Sequence, residues 1–130
     1  MQAMLFVGLG GFLGSCFRYG ITKWAAARNG LLPLGTLLAN VVAGVCIGFI
    51  IGLEQHAVKL SAHTKLFLTT GLLGGLSTFS TFSLETVELF RAGQYMPACG
   101  NVALNLGLSI AGVVLGMLVA KLMTKNLFSV

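Results

Sequence analysis

The sequence predicts an all-α integral membrane protein with four transmembrane helices, the third broken near its middle, and three observations predict it. Of its 130 residues, 56% are hydrophobic and 8% charged, against roughly 25% charged in soluble domains, and the mean hydropathy is +0.94. Four uncharged runs, 1–17, 31–53, 66–84 and 92–120, approach or exceed the roughly 20 residues that cross a hydrocarbon core about 30 Å thick. The third run contains Gly71 to Ser83, GLLGGLSTFSTFS, which concentrates glycines and hydroxyls at membrane depth. There Phe79 and Phe82 alternate with Ser77, Thr78, Ser80, Thr81 and Ser83 with a period of three, which a regular helix at about 100° per residue would smear around its surface. A departure from ideal helix is expected within this stretch. The chain reads as one domain, 1–130, with spans at about 3–20, 33–53, 66–90 and 97–121.

The first span, 3–20, has no Lys or Arg before Arg18, so it lacks the basic start of a signal peptide. Gly10 and Gly14 form a GxxxG face of the kind that packs retained helices closely. Arg18, Tyr19, Lys23, Trp24 and Arg28 then make an aromatic and basic interfacial cluster, closed by Asn29-Gly30 and Pro33. On the second span, Thr36, Asn40, Gly44, Gly48 and Gly52 recur every four residues, an amide at the head of a smooth glycine stripe. Asn40 either hydrogen-bonds across a helix interface or faces a water-filled path. The third span continues past Ser83 to Glu85, Glu88 and Arg91, which places Glu85 near the mouth of any polar path. On the fourth span, Asn101, Asn105, Ser109, Gly112 and Gly116 fall within an arc of about 80°, one narrow face of small and polar residues. Polar stripes on two spans and a hydroxyl-rich third point to a shared aqueous path.

The Gly count of 18 suits close helix contact in lipid, and the net charge of +5 resides in residues flanking apolar runs. It is explained by headgroups and topology, with no nucleic-acid partner. Cys16, Cys46 and Cys99 lack metal or redox spacing and read as small hydrophobes, while His56 and His63 fall in a short polar connection. With three acidic residues and two histidines, the chain holds neither a catalytic triad nor a metal-ligand cluster, and GLLGG lacks the Lys-Ser/Thr ending of a phosphate loop. No enzymatic activity is expected. Neutral amides and hydroxyls, however, replace an ion's hydration shell without trapping it. They serve either sign of ion, and an aromatic ring serves anions at its edge and cations at its face.

Charge balance addresses assembly. Lys59, Lys65, Lys121 and Lys125 belong to the N-terminal side, and Arg18, Lys23, Arg28 and Arg91 to the other. Positive-inside orientation then has no bias to act on, and subunits of opposite orientation are expected to pair about a two-fold axis in the membrane plane. An antiparallel, dual-topology homodimer is expected.

GGFLGSCFRYG at 10–20, GTLLANVVAG at 35–44 and GLLGGLSTFSTFSLE at 71–85 resemble the CrcB/Fluc family of bacterial fluoride channels. The resemblance spans all four helices and is most specific in STFSTFS. It implies a multi-pass protein of the bacterial inner membrane, an antiparallel homodimer with two pores that passively exports cytoplasmic fluoride entering as HF. By the same resemblance, Phe79 and Phe82 are the pore phenylalanines and Asn40 the pore asparagine. Ser80, Thr81 and Ser83 supply the hydroxyl track, to which the sequence itself adds Thr78, while Asn101, Asn105 and Ser109 are fourth-helix pore positions. Arg18 and Glu85 belong to the vestibule or pore mouth. A structural sodium ion at the dimer interface is implied, held by the backbone carbonyls of Gly74 and Ser77. The rival reading is a small multidrug-resistance-type proton-coupled transporter, which needs an acid in mid-membrane, whereas Glu54, Glu85 and Glu88 lie at or near span ends.

Overall fold

The computed structural model describes residues 1–27 and 32–127, with the backbone alone for 126–127. Arg28 and the Asn29-Gly30 turn lie outside the described residues. The described residues form helices joined by short connections, with no strand among them: a first helix Gln2–Ala26, a second Leu34–His56, a third segment in two limbs, and a fourth Tyr95–Leu127. Gln2–Ala26, Leu34–His56 and Tyr95–Lys125 are long and apolar enough to cross a membrane. The chain is a multi-pass membrane protein.

Glycine spacing determines how these helices pair. In lipid the apolar surfaces gain nothing by leaving water, so close backbone approach and dispersion hold helices together. Gly44 lies against the backbone of Ser109, Gly48 against Val113 and Gly52 against Met117. The second and fourth helices therefore run parallel, with a constant offset of 65 residues that the Asn40–Asn105 side-chain pair shares. Gly10 and Gly14 likewise seat the first helix on the backbone of Phe67, Gly71 and Leu72. The GxxxG face packs as its spacing predicts.

One end of the bundle joins the first and second helices to the start of the third segment. The Phe6 and His63 rings lie 4.9 Å apart, and Lys65 Nζ meets Glu54 Oε2 at 2.7 Å. Lys23 stands 5.6 Å from the Tyr19 ring centre, an interfacial anchor toward the opposite end.

The third segment departs from ideal helix in two places. After one α-turn, Ala62–Lys65, capped by the Ser61 hydroxyl accepting from Thr64 N–H at 3.1 Å, residues Leu66–Leu73 form a π-helix. A short α-turn, Gly74–Leu76, completes the first limb. Ser77 (φ −78°, ψ 155°) and Thr78 (φ −153°, ψ 116°) are then extended. The second limb, Phe79–Arg91, is regular α-helix. The hydroxyl and phenylalanine alternation thus begins at the break and continues into ordinary helix. There a period of three brings Phe79 and Phe82 onto neighbouring positions of one face.

Candidate functional site

A helix interrupted inside a membrane must find partners for its freed backbone groups, because no water is available there. Thr78 closes one end of the break itself, its Oγ1 accepting from Thr81 N–H at 3.3 Å as the N-cap of the second limb. Asn40 pairs with the backbone of Thr78 from the second helix. Its Oδ1 accepts from Thr78 N–H at 2.7 Å, and its Nδ2 donates to the Thr78 carbonyl at 3.3 Å, so one side-chain amide pairs with both sides of an extended residue. The same Nδ2 donates to Asn105 Oδ1 at 2.9 Å. Arg18 reaches the break from the first helix, Nε donating to the Gly75 carbonyl at 3.1 Å.

Beside the break lies a cavity of about 370 Å³. Asn40, Ser77, Thr78, Phe79, Phe82, Asn105 and Ser109 line it, among apolar residues of the second and fourth helices. Among the described residues, no charged side chain does so. The Phe79 and Phe82 rings meet 5.4 Å apart at 60°, edge to face. Phe82 is buried while Phe79 is 73% exposed, so the wall that Phe79 forms is open on the surface of the chain.

Hydrogen-bond accounting shows which donors remain for a guest. Among the described residues, Ser109 Oγ is buried with no partner. Ser83 spends its proton on the Phe79 carbonyl at 2.9 Å. Thr78, Ser80 and Thr81 form a hydroxyl triad with oxygen separations of 3.4 and 2.9 Å about Thr78. Two such contacts use two protons of three, so at least one hydroxyl of the triad is left to donate elsewhere.

Of the other expected site residues, Gly74 lines this cavity, and Arg18, Ser80, Thr81, Ser83, Glu85 and Asn101 do not. Glu85 borders a separate space of about 290 Å³ with Thr22, Pro33 and Thr36. One of its oxygens accepts from the Thr36 hydroxyl at 2.6 Å, and the other is buried with no partner among the described residues. Asn101, 2% exposed, lies one turn from Asn105 and outside the lining of either space. Gly74 and Ser77 lie at the break and line the main cavity. The N–H groups that an α-helix would aim at their carbonyls, those of Thr78 and Thr81, go instead to Asn40 Oδ1 and Thr78 Oγ1. Asn40 thus bonds across a helix interface and also lines the cavity.

A sequence model of the family described as CrcB-like protein, Camphor Resistance (CrcB), matches residues 5–117, which include every residue of this site. The chain belongs to the CrcB family. A protein of Clostridium novyi (strain NT) named fluoride-specific ion channel FluC is 48% identical over 119 residues, 91% of this chain and 93% of its own. Proteins with the same name from Clostridium perfringens (strain 13 / Type A) and Aeromonas salmonicida (strain A449) are 46% and 43% identical. They cover 92% and 90% of this chain and 94% of their own lengths.

Two features of this CrcB chain escape a reading of sequence pattern. Thr86 is buried, donating to the Phe82 carbonyl at 2.8 Å and accepting from Asn101 Nδ2 at 2.9 Å. Its signal was its place one turn after Phe82, masked by the interfacial look of Glu85 and Glu88 on either side. The π-helix before the break has no compositional signature, because π geometry is set by packing around a segment.

Proposed function

We propose that this chain forms a passive fluoride channel, and that the ion passes along the cavity beside the break in the third segment. The observation that carries the reading is a lining of neutral donors with no charge. Ser109 offers a buried, unbonded hydroxyl, and the aromatic pair Phe79 and Phe82 stands beside it. A small, strongly hydrated anion needs several donors to replace its water, and fixed positive charge would hold it too tightly to pass quickly. The relatives named as fluoride-specific channels support the choice of ion. Asn40, Asn105 and Ser109 form one side of the path, and Phe79 and Phe82 the other. Thr78, Ser80, Thr81 and Ser83 continue it as hydroxyls, with Arg18 and Glu85 toward its mouths. The proton-coupled transporter reading requires an acid in this space, and Glu85 borders a different one. Passive flow of this kind exports cytoplasmic fluoride across the bacterial inner membrane.

The test is efflux. Purified protein in liposomes loaded with potassium fluoride or potassium chloride is expected to release fluoride rapidly without a proton gradient, as read by an ion-selective electrode. Failure of well-reconstituted protein to release fluoride would defeat the reading.

The working unit is an antiparallel homodimer with two pores. Support comes from the even split of Lys and Arg between the two ends and from a cavity left open on one subunit at Phe79. A sodium ion on the dimer axis suits the carbonyls of Gly74 and Ser77, whose usual helical donors bond elsewhere, because hard cations take carbonyl oxygens. Bound there, it would neutralise the dipoles of two broken helix ends. In membranes, a single cysteine placed at either terminus is expected to label from both sides. Labelling of each terminus from one side alone would exclude dual topology.

A further inference from the structure

Four side chains on three membrane segments form a single chain of hydrogen bonds in which every donation runs the same way. Asn40 Nδ2 donates to Asn105 Oδ1 at 2.9 Å, Asn105 Nδ2 to Asn101 Oδ1 at 2.8 Å, Asn101 Nδ2 to Thr86 Oγ1 at 2.9 Å, and Thr86 Oγ1 to the Phe82 carbonyl at 2.8 Å. Asn101, Asn105 and Thr86 are all buried. We propose that Thr86 and Asn101 are positioning residues, which set the orientation of the Asn40 amide at the break from the backbone of Phe82.

The polarity of this relay follows from its far end. A backbone carbonyl only accepts, so in donating to Phe82 Thr86 spends its single proton, and its oxygen then accepts from Asn101. Asn101 must therefore turn its NH₂ toward Thr86 and its oxygen toward Asn105. Asn105, whose NH₂ also donates to the Asn101 backbone carbonyl at 3.1 Å, then presents its oxygen to Asn40. Asn40 is left with its oxygen facing Thr78 N–H and its NH₂ facing the Thr78 carbonyl, the one orientation in which both sides of Thr78 are paired. A flip anywhere along the relay would set two donors or two acceptors against each other in a buried site, where each unmade bond is costly.

This arrangement ties the two halves of the site together. Phe82 lines the cavity from the second limb and Asn40 from the second helix, and the relay joins the backbone of one to the side chain of the other through the fourth helix. Asn101 contributes without lining the cavity, and Thr86 from the turn following Phe82.

The inference rests on the channel reading, and its test separates the two. Thr86→Val keeps the shape of the side chain while removing both the donor and the acceptor, whereas Thr86→Ser keeps both. Fluoride efflux from liposomes is expected to fall roughly tenfold in Thr86→Val, the factor that one ordinary hydrogen bond is worth. In Thr86→Ser it should stay within about twofold of the unsubstituted protein. In protein labelled with ¹⁵N-asparagine, the Asn40 side-chain NH₂ signals, assigned by their loss in Asn40→Leu, are expected to shift in Thr86→Val and hold in Thr86→Ser. Unchanged flux with unmoved Asn40 signals overturns the proposal. So does reduced flux with unmoved Asn40 signals, since Thr86 would then matter for folding alone. If the unsubstituted protein passes no fluoride while the Asn40 signals still shift, the relay stands and the channel reading falls.

Discussion

Asn40→Asp is expected to lower fluoride efflux by about a hundredfold or more while the protein still folds and assembles. The substitution is nearly isosteric, so packing against Thr78 and Asn105 is preserved. Its chemistry is reversed at the atom that matters. The Nδ2 donations to the Thr78 carbonyl and to Asn105 Oδ1 become oxygen facing oxygen, and each lost bond is worth about 1 kcal/mol or more in a buried setting. An ionised carboxylate beside the path adds a repulsion of roughly 3 kcal/mol at about 6 Å and an effective dielectric near 20. Together these exceed the 2.7 kcal/mol or so that a hundredfold change requires. Efflux is measured with an ion-selective electrode and normalised to the monodisperse fraction on size exclusion. Flux within about twofold of the unsubstituted protein would remove Asn40 from the path.

Gly48→Ala is expected to fail earlier, at folding. A methyl group at Gly48 would overlap the Val113 carbonyl, and backbone cannot yield as a flexible side chain would. The second and fourth helices must separate, and the cost is about 3 kcal/mol, at the upper end of overpacking in a close-packed interior. Their constant register means that the separation also reaches Gly44 against Ser109 and Asn40 against Asn105. Gly20→Ala is the control, since a methyl there meets nothing within 4 Å and alanine favours helix over glycine by about 1 kcal/mol. The monodisperse yield in detergent is expected to collapse for Gly48→Ala and hold for Gly20→Ala. Equal yields would show that the glycine stripe is not what seats these helices.

Much of the architecture was legible because membranes impose simple rules. Spans could be counted because lipid demands long uncharged runs, and helix partners were foreshadowed by glycines every fourth residue, since only small side chains admit a second backbone. The interruption was visible as hydroxyls and glycines where an ordinary span would be apolar. Its location came from two signals of unequal worth: the resemblance put the break at Gly74 to Ser77, beside the extended Ser77 and Thr78 of the structure, whereas the alternation suggested irregular backbone through Phe79 and Phe82, where the helix is regular. Local pattern could not separate these cases, because two residues three apart share a face of an α-helix as readily as they mark a different period.

The sequence by itself determined the class of protein, its helical spans, the glycine faces that pack them and the absence of charge along Gly71 to Ser83. Tertiary structure alone decided which amide meets which carbonyl. A stripe on one helix shows which face is turned inward, but it carries no register against another helix 65 residues away. That register is set by backbone contact at Gly44, Gly48 and Gly52. It places Asn40 on Thr78, Asn105 on Asn40, and the buried Asn101 and Thr86 behind them. Hydrogen bonds have direction and short reach, so the path's donors could be assigned only once the helices stood at fixed distances.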